Sequence, residues 1–279
     1  MSADEIEETR GRLVRSASTI TPLTLLSRVT GYVRDKVVAL TLGAGMRTDA
    51  FFVAFRIPNM LREIIGEGAM SSAVIPVYTE VSHERGAEEA RAFLGRVAGT
   101  FALILTGITA AGILASPWLV GLLAGQFRAV PAKFALTVVL NRWIFPYILL
   151  VSLAALCQAV LNAHHRFAAP AAAPILMNVA LILAAWIVAP RLAEPTYALA
   201  GGVLVGGLLQ IAVQLPQLRR LSAVGRPALG WRDPAVRAVL VLMSPRLLAY
   251  GINSVNTVVA TRFAAGLGDA SVSHLYYAN

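Results

Sequence analysis

The chain has 279 residues, of which 57% are hydrophobic and 14% charged, with a mean hydropathy of +0.68. Soluble domains average about 45–50% apolar and 25% charged residues, so this composition excludes an ordinary soluble domain and defines an integral membrane protein. The net charge of +9 matches the positive excess of cytoplasmic loops, and no basic soluble segment is left over to bind nucleic acid. Cys157 is the only cysteine, which excludes a disulfide framework and a cysteine metal cluster and reads as a packed core thiol.

Residues 1–19 are acidic, then basic (Asp4, Glu5, Glu7, Glu8, Arg10, Arg12, Arg15). They lack the apolar run and small-residue cleavage site of a removable signal and read as a cytoplasmic tail. A spanning helix needs about 20 mainly apolar residues. The sequence predicts such segments near 20–44, 48–80, 93–123, 134–163, 170–190, 197–218 and 236–265, with an eighth starting near Ser271. Between them the loop charges alternate. Arg85, Arg91 and Arg96, then Arg166, then Arg219, Arg220, Arg226, Arg232 and Arg237 fall on the side of the N-terminal tail. The other side carries Arg47, then Arg128 and Lys133, then Arg191, then Asp269. By the positive-inside rule the N-terminus is cytoplasmic and odd-numbered helices run outward.

An internal repeat is read at an offset of 223 residues, where Thr21-Pro22 falls on Ser244-Pro245 and Gly43-Ala44-Gly45 on Gly266-Leu267-Gly268. After one inserted residue, Phe52-Val53-Ala54 falls on Tyr276-Tyr277-Ala278. The period spans an even number of helices, so the second unit starts in the orientation of the first. The expected organisation is an all-α polytopic bundle. It comprises a tail (1–19), a six-helix lobe (20–235) and the start of a second lobe (236–279), and the whole reads as a fragment of a longer protein. Gly95-x-x-x-Gly99 and Gly202-x-x-x-Gly206 offer small faces for close helix contact. Pro58, Pro76, Pro146, Pro174 and Pro216 favour kinks.

The first two spans carry Arg28, Arg34, Asp35, Lys36, Asp49, Arg56, Arg62, Glu63 and Glu67. An arginine at a helix centre costs about 2.5–3.5 kcal/mol to insert, so Arg28, Arg34, Arg56 and Arg62 facing lipid together would cost roughly 10 kcal/mol. They are expected to face a polar interior or to snorkel. At the helical period, Arg28 and Asp35 share one face with Arg34 around the side; Asp49, Arg56, Glu63 and Glu67 form a stripe with Arg62 beside it. Lys36, Arg47, Glu63, Arg142, Arg246 and Arg262 read as structural salt bridges or snorkelling ends. Depth, number and sign set Arg28, Arg34 and Arg62 apart as contacts for an anion, and the arginine fork suits a phosphate or diphosphate.

His164-His165-Arg166 reads as a polar loop at a cytoplasmic helix end. Asn141, Gln158, Asn162, Asn178, Gln210, Gln214, Asn253 and Asn256 are candidates to line a cavity or bond between helices. The sequence offers no phosphate loop, zinc-protease pair, acidic metal cluster or serine elbow. No catalytic residue, metal or cofactor is implied.

The run SRVTGYVRD…GAGMRTDAFFVAFRIPNMLR…EGAMSSAVIPVYTE resembles the MurJ/MviN family, and the similarity continues through FPYILLVSLAALCQAVLNAHHRFAAPAAAPILMN, GGLLQIAVQLPQL and the final YYAN. These are the lipid II flippases of bacterial cell-wall synthesis, in the MOP exporter superfamily. The resemblance implies an alternating-access transporter of the cytoplasmic membrane. It would carry undecaprenyl-diphosphate-linked disaccharide-pentapeptide to the outer leaflet through a cationic cavity between two six-helix lobes, among membrane lipids and in contact with the cell-wall synthesis machinery. Arg28, Arg34 and Arg62 match arginines the family needs, and Asp35 matches an acidic cavity residue. Arg56 stands where relatives carry lysine; Asp49 and Glu67 fall in the shared TDAFF and EGA motifs as gating partners. The family has fourteen helices, so this chain would hold one lobe and half a cavity. The alternatives are a flippase for another polyprenyl-diphosphate oligosaccharide, an exporter of the same superfamily, and a membrane enzyme acting on isoprenoid phosphates.

Overall fold

The computed structural model describes residues 3–66, 69–221, 223–267 and 270–278. They form nine α-helices and no strand: α1 (Ala3–Leu42), α2 (Met46–Gly66), α3 (Ala69–Leu123), α4 (Pro131–Ile144), α5 (Tyr147–Ala163), α6 (Ala168–Leu183), α7 (Thr196–Arg220), α8 (Pro234–Gly266) and α9 (Ser271–Ala278). Among these residues, Ala69–Leu123, Pro131–Ala163, Ala168–Arg191 and Thr196–Arg220 are long and apolar enough to cross a membrane. The helices that carry the arginines, α1 and α2, fall outside that set because their charges lower their hydropathy.

Several boundaries differ from the sequence expectation. The first helix begins at Ala3 rather than near residue 20, because the charged stretch is built mainly of good helix formers such as Glu and Arg. It ends at Gly43, whose φ of 69° supplies the left-handed cap while its N–H donates to Ala39 O at 2.9 Å. The expected second span, 48–80, is built from two helices, α2 and the first arm of α3. At 1.5 Å per residue, the 55 residues of α3 would reach about 80 Å if straight, far beyond a bilayer. Gly86, with φ 82° and ψ 172°, breaks it there, in a conformation that only glycine adopts without strain. The fourth span is divided at Phe145-Pro146, between α4 and α5, with both residues keeping helical backbone angles.

The main packing pairs are α6 with α7, α3 with α5 and α8, α1 with α6, α2 with α4, and α5 with α7. Phe93, Met70, Ile144, Ile148, Leu161 and Leu199 are fully buried among them. Cys157 packs half-buried against this core. The 202/206 glycine pair does bring helices together: a Cβ at Gly206 would lie 2.3 Å from Met177 Sδ on α6. The 95/99 pair does something else. Cβ atoms at Gly95 and Gly99 would each lie 2.2 Å from a backbone carbonyl oxygen, of Arg226 and Ala228 respectively, so this face receives the extended linker between α7 and α8.

That linker is pinned by Ala228 N–H to Gly95 O (3.1 Å) and Gly230 N–H to Thr100 Oγ1 (2.9 Å). Arg96 reaches both Glu89 and Asp233. Asp233 also caps α8 by accepting from Ala235 N–H at 2.8 Å, with Pro234 in the first turn, where a missing N–H costs nothing.

Candidate functional site

A cavity of about 370 Å³ opens where α1, α2, α5, α6, α7 and α9 converge. Ser27, Gly31 and Arg34 line it from α1, and Phe55, Asn59 and Arg62 from α2. Both triplets step by four and then three residues, which keeps each on one helical face. The opposite wall includes Tyr147, Asn178, Gln210 and Tyr276.

Each lining arginine is held by a neighbour. Arg34 Nε donates to Asp35 Oδ1 at 2.9 Å, with Nη2 2.8 Å from the same oxygen, and Nη1 donates to Asn178 Oδ1 at 3.0 Å. Arg62 Nε donates to Asn59 Oδ1 at 3.0 Å. The Tyr276 ring on α9 stacks on Phe52 with centroids 3.9 Å apart, and its phenol lies within electrostatic reach of Arg34, Asp35, Arg56 and Arg62. Two guanidinium groups against one carboxylate leave this polar hollow cationic, which suits a compact anion.

A second buried polar centre sits on α2. Asp49, fully buried, accepts from Lys133 Nζ (2.9 Å) and Ala270 N–H (2.9 Å) on Oδ2, and from the Ser273 N–H (2.8 Å) and hydroxyl on Oδ1. The carboxylate thus joins α2, α4 and the start of α9. The ammonium of Lys133 also lies 4.2 Å from the Phe127 ring centre, a cation–π contact that helps hold the charge away from water.

The structure therefore brings together Arg34, Asp35 and Arg62, and distributes the remaining sequence candidates. Arg28 is exposed on α1 and is not among the residues lining the cavity. Arg56 is half-buried near Tyr276, its Nε buried without a hydrogen-bond partner among the described residues. Asp49 does not pair with the arginine stripes; it belongs to the Lys133 centre. Glu67 lies outside the described residues, as does the side chain of Glu63.

Sequence reasoning placed Lys133 in a loop, whereas only 3% of its side chain is exposed. The available signal was its position in the first turn of an apolar helix begun by Pro131. Nothing in the pattern marked Asn59 as the partner of Arg62, although its three-residue spacing permits the contact.

Outside the spans, His164 follows the last turn of α5, and its Nε2 lies 2.8 Å from the Tyr78 hydroxyl. Its pKa is lowered, first by burial and then by the adjacent His165 and Arg166. Both causes favour the neutral ring, whose Nε2 can accept from the phenol.

A bundle of long apolar helices around a buried cationic cavity defines a polytopic membrane protein, and the comparisons with known proteins agree. The family model described as lipid II flippase MurJ matches residues 38–279. The lipid II flippase MurJ of Burkholderia cenocepacia is 40% identical over 271 residues, covering 96% of this chain and 52% of that protein. The probable lipid II flippase MurJ of Vibrio cholerae is 39% identical over 275 residues, with the same coverage of 96% and 52%. A solved structure of lipid II flippase MurJ in an inward closed conformation superposes with a TM-score of 0.76 at 25% identity, covering 93% of this chain and 53% of that one. The chain belongs to the MurJ family, a family of transporters rather than enzymes. It spans about half the length of the curated relatives it matches.

Proposed function

We propose that the chain forms the first lobe of a flippase that carries lipid II, an undecaprenyl-diphosphate-linked disaccharide-pentapeptide, from the cytoplasmic to the outer leaflet of the bacterial inner membrane. The observation that carries this reading is the convergence of Arg34 and Arg62 on one polar cavity. Guanidinium N–H groups pair bidentately with phosphate oxygens, and the low-dielectric surroundings strengthen each contact. The diphosphate enters from the cytoplasmic side and binds these arginines while its apolar tail stays in lipid. Arg28 and Arg56 extend the positive surface along the route of entry.

In this reading residues 1–19 are a cytoplasmic extension, 20–235 the first lobe, and 236–279 the start of the second. The N-terminus is cytoplasmic, so α1 and α8 run outward and the Asp49 centre lies near the outer surface. The bonds from Ala270 and Ser273 to Asp49 then act as an outer latch between the lobe and α9. Releasing them as the lobes rock exposes the cavity to the other side. Contact with the cell-wall synthesis machinery would deliver the substrate.

The test is rescue of a flippase-depleted bacterium by the full-length protein. Arg28→Ala, Arg34→Ala and Arg62→Ala variants should insert normally and fail to rescue. Near-normal rescue by all three variants overturns the assignment.

A further inference from the structure

We infer that Asn178 is a positioning residue for Arg34, fixing the guanidinium in its ligand-ready direction and thereby setting the affinity of the cavity for a diphosphate. This rests on the reading of the cavity as a diphosphate site.

Asn178 stands on α6, 6% exposed, and is used on both sides of its amide. Its Oδ1 accepts from Arg34 Nη1 at 3.0 Å. Its Nδ2 donates to Ser27 O and to Thr30 Oγ1, each at 3.1 Å. These bonds fix the amide's orientation. Turned over, it would set its NH2 against a guanidinium N–H and its oxygen against the Ser27 carbonyl, two mismatches in place of the present bonds.

Thr30 is itself anchored, its hydroxyl donating to Ser27 O at 3.0 Å. The acceptor offered to Arg34 is thus held by the backbone of α1 at Ser27, about two turns before the arginine.

The geometry explains why a neutral amide suits this place. Asp35 already offsets one positive charge, through the Nε side of the fork. A second carboxylate at position 178 would cancel what remains of the guanidinium's attraction for an anion. An apolar residue would leave the Nη1 edge without its acceptor, so that the guanidinium could swing about its contact with Asp35 and would have to be ordered by the ligand, at a cost in affinity. Asn178 holds the Nη1 side without adding charge. The fork has five N–H donors, so Nη hydrogens remain for a ligand once Asp35 and Asn178 are served.

The experiment is a double-mutant cycle in the full-length protein, with farnesyl diphosphate in detergent as the probe and titration calorimetry as the readout. Asn178→Leu is expected to weaken binding about tenfold in the Arg34 background and to have almost no further effect in an Arg34→Ala background, since coupled residues are not additive. Asn178→Ala, read in the same cycle, serves if the leucine variant fails to insert, and melting temperatures monitor the lost contacts to α1.

Equal losses in both backgrounds would mean that Asn178 merely joins α1 to α6, and would overturn the inference. So would unchanged binding by Asn178→Leu while Arg34→Ala weakens it, which leaves the diphosphate reading standing. Absence of binding by the unsubstituted protein overturns both.

Discussion

Asp49 and Lys133 form an ion pair sealed from solvent, with Nζ 2.9 Å from Oδ2 and side-chain exposures of 0% and 3%. Three further donors reach the carboxylate from Ala270 and Ser273, so its acceptor sites are filled. Removing one partner of such a pair leaves a buried charge uncompensated and costs about 3–5 kcal/mol. Asp49→Asn and Lys133→Met should each lower the melting temperature of the full-length protein in detergent. The double variant should lose less than the sum of the two. Additive losses would show that the charges do not compensate one another.

Arg34 serves its neighbours through two different edges, Nε and Nη2 toward Asp35 and Nη1 toward Asn178. Lysine keeps the charge but cannot reproduce a planar fork. Arg34→Lys should therefore insert normally and bind farnesyl diphosphate about tenfold more weakly, a loss that calorimetry resolves. Wild-type affinity in this variant would mean that charge alone matters at this position.

These two centres show how far the sequence could be read. Arginines too deep to face lipid announced a polar interior, and Asp35 was legible beside Arg34. The helical phase was less so. The helical period puts Arg28 and Asp35 on one face, while the cavity is lined by the neighbouring stripe of Ser27, Gly31 and Arg34. Which stripe faces inward depends on where α6 packs against α1, a tertiary fact that periodicity does not contain. Lys133 was misplaced for a related reason: a cation just after a loop counts as a loop charge until its partner, 84 positions away in the sequence, is known.

Gly95 and Gly99 matched a helix-contact motif, yet the face they open holds the α7–α8 linker. Gly99→Ala would press a Cβ against Ala228 O and should cost about 1–3 kcal/mol, as overpacking does. Limited proteolysis within 223–233 should be faster than in the unsubstituted protein. Unchanged cleavage would mean that the linker does not dock there in solution.

His164 has a lowered pKa and faces the Tyr78 hydroxyl. A histidine whose folded pKa lies below its unfolded value binds fewer protons when folded. Its contribution is complete above the unfolded value of about 6.5 and is lost as pH falls through the folded one. The melting temperature should drop on acidification below about pH 6.5, and His164→Gln, which keeps an acceptor without titrating, should flatten that part of the profile. An identical profile in the variant would remove His164 as the cause.

The central claim is that Arg34 and Arg62 bind the diphosphate of a lipid-linked precursor during its passage across the membrane. It is tested most directly by reconstituting the full-length protein in vesicles and following transfer of a fluorescent lipid II from one leaflet to the other. The unsubstituted protein should move the lipid. The Arg34→Ala/Arg62→Ala double variant, reconstituted to the same level and folded, should stay at the rate of protein-free vesicles. Transfer by the double variant at the unsubstituted rate would contradict the claim.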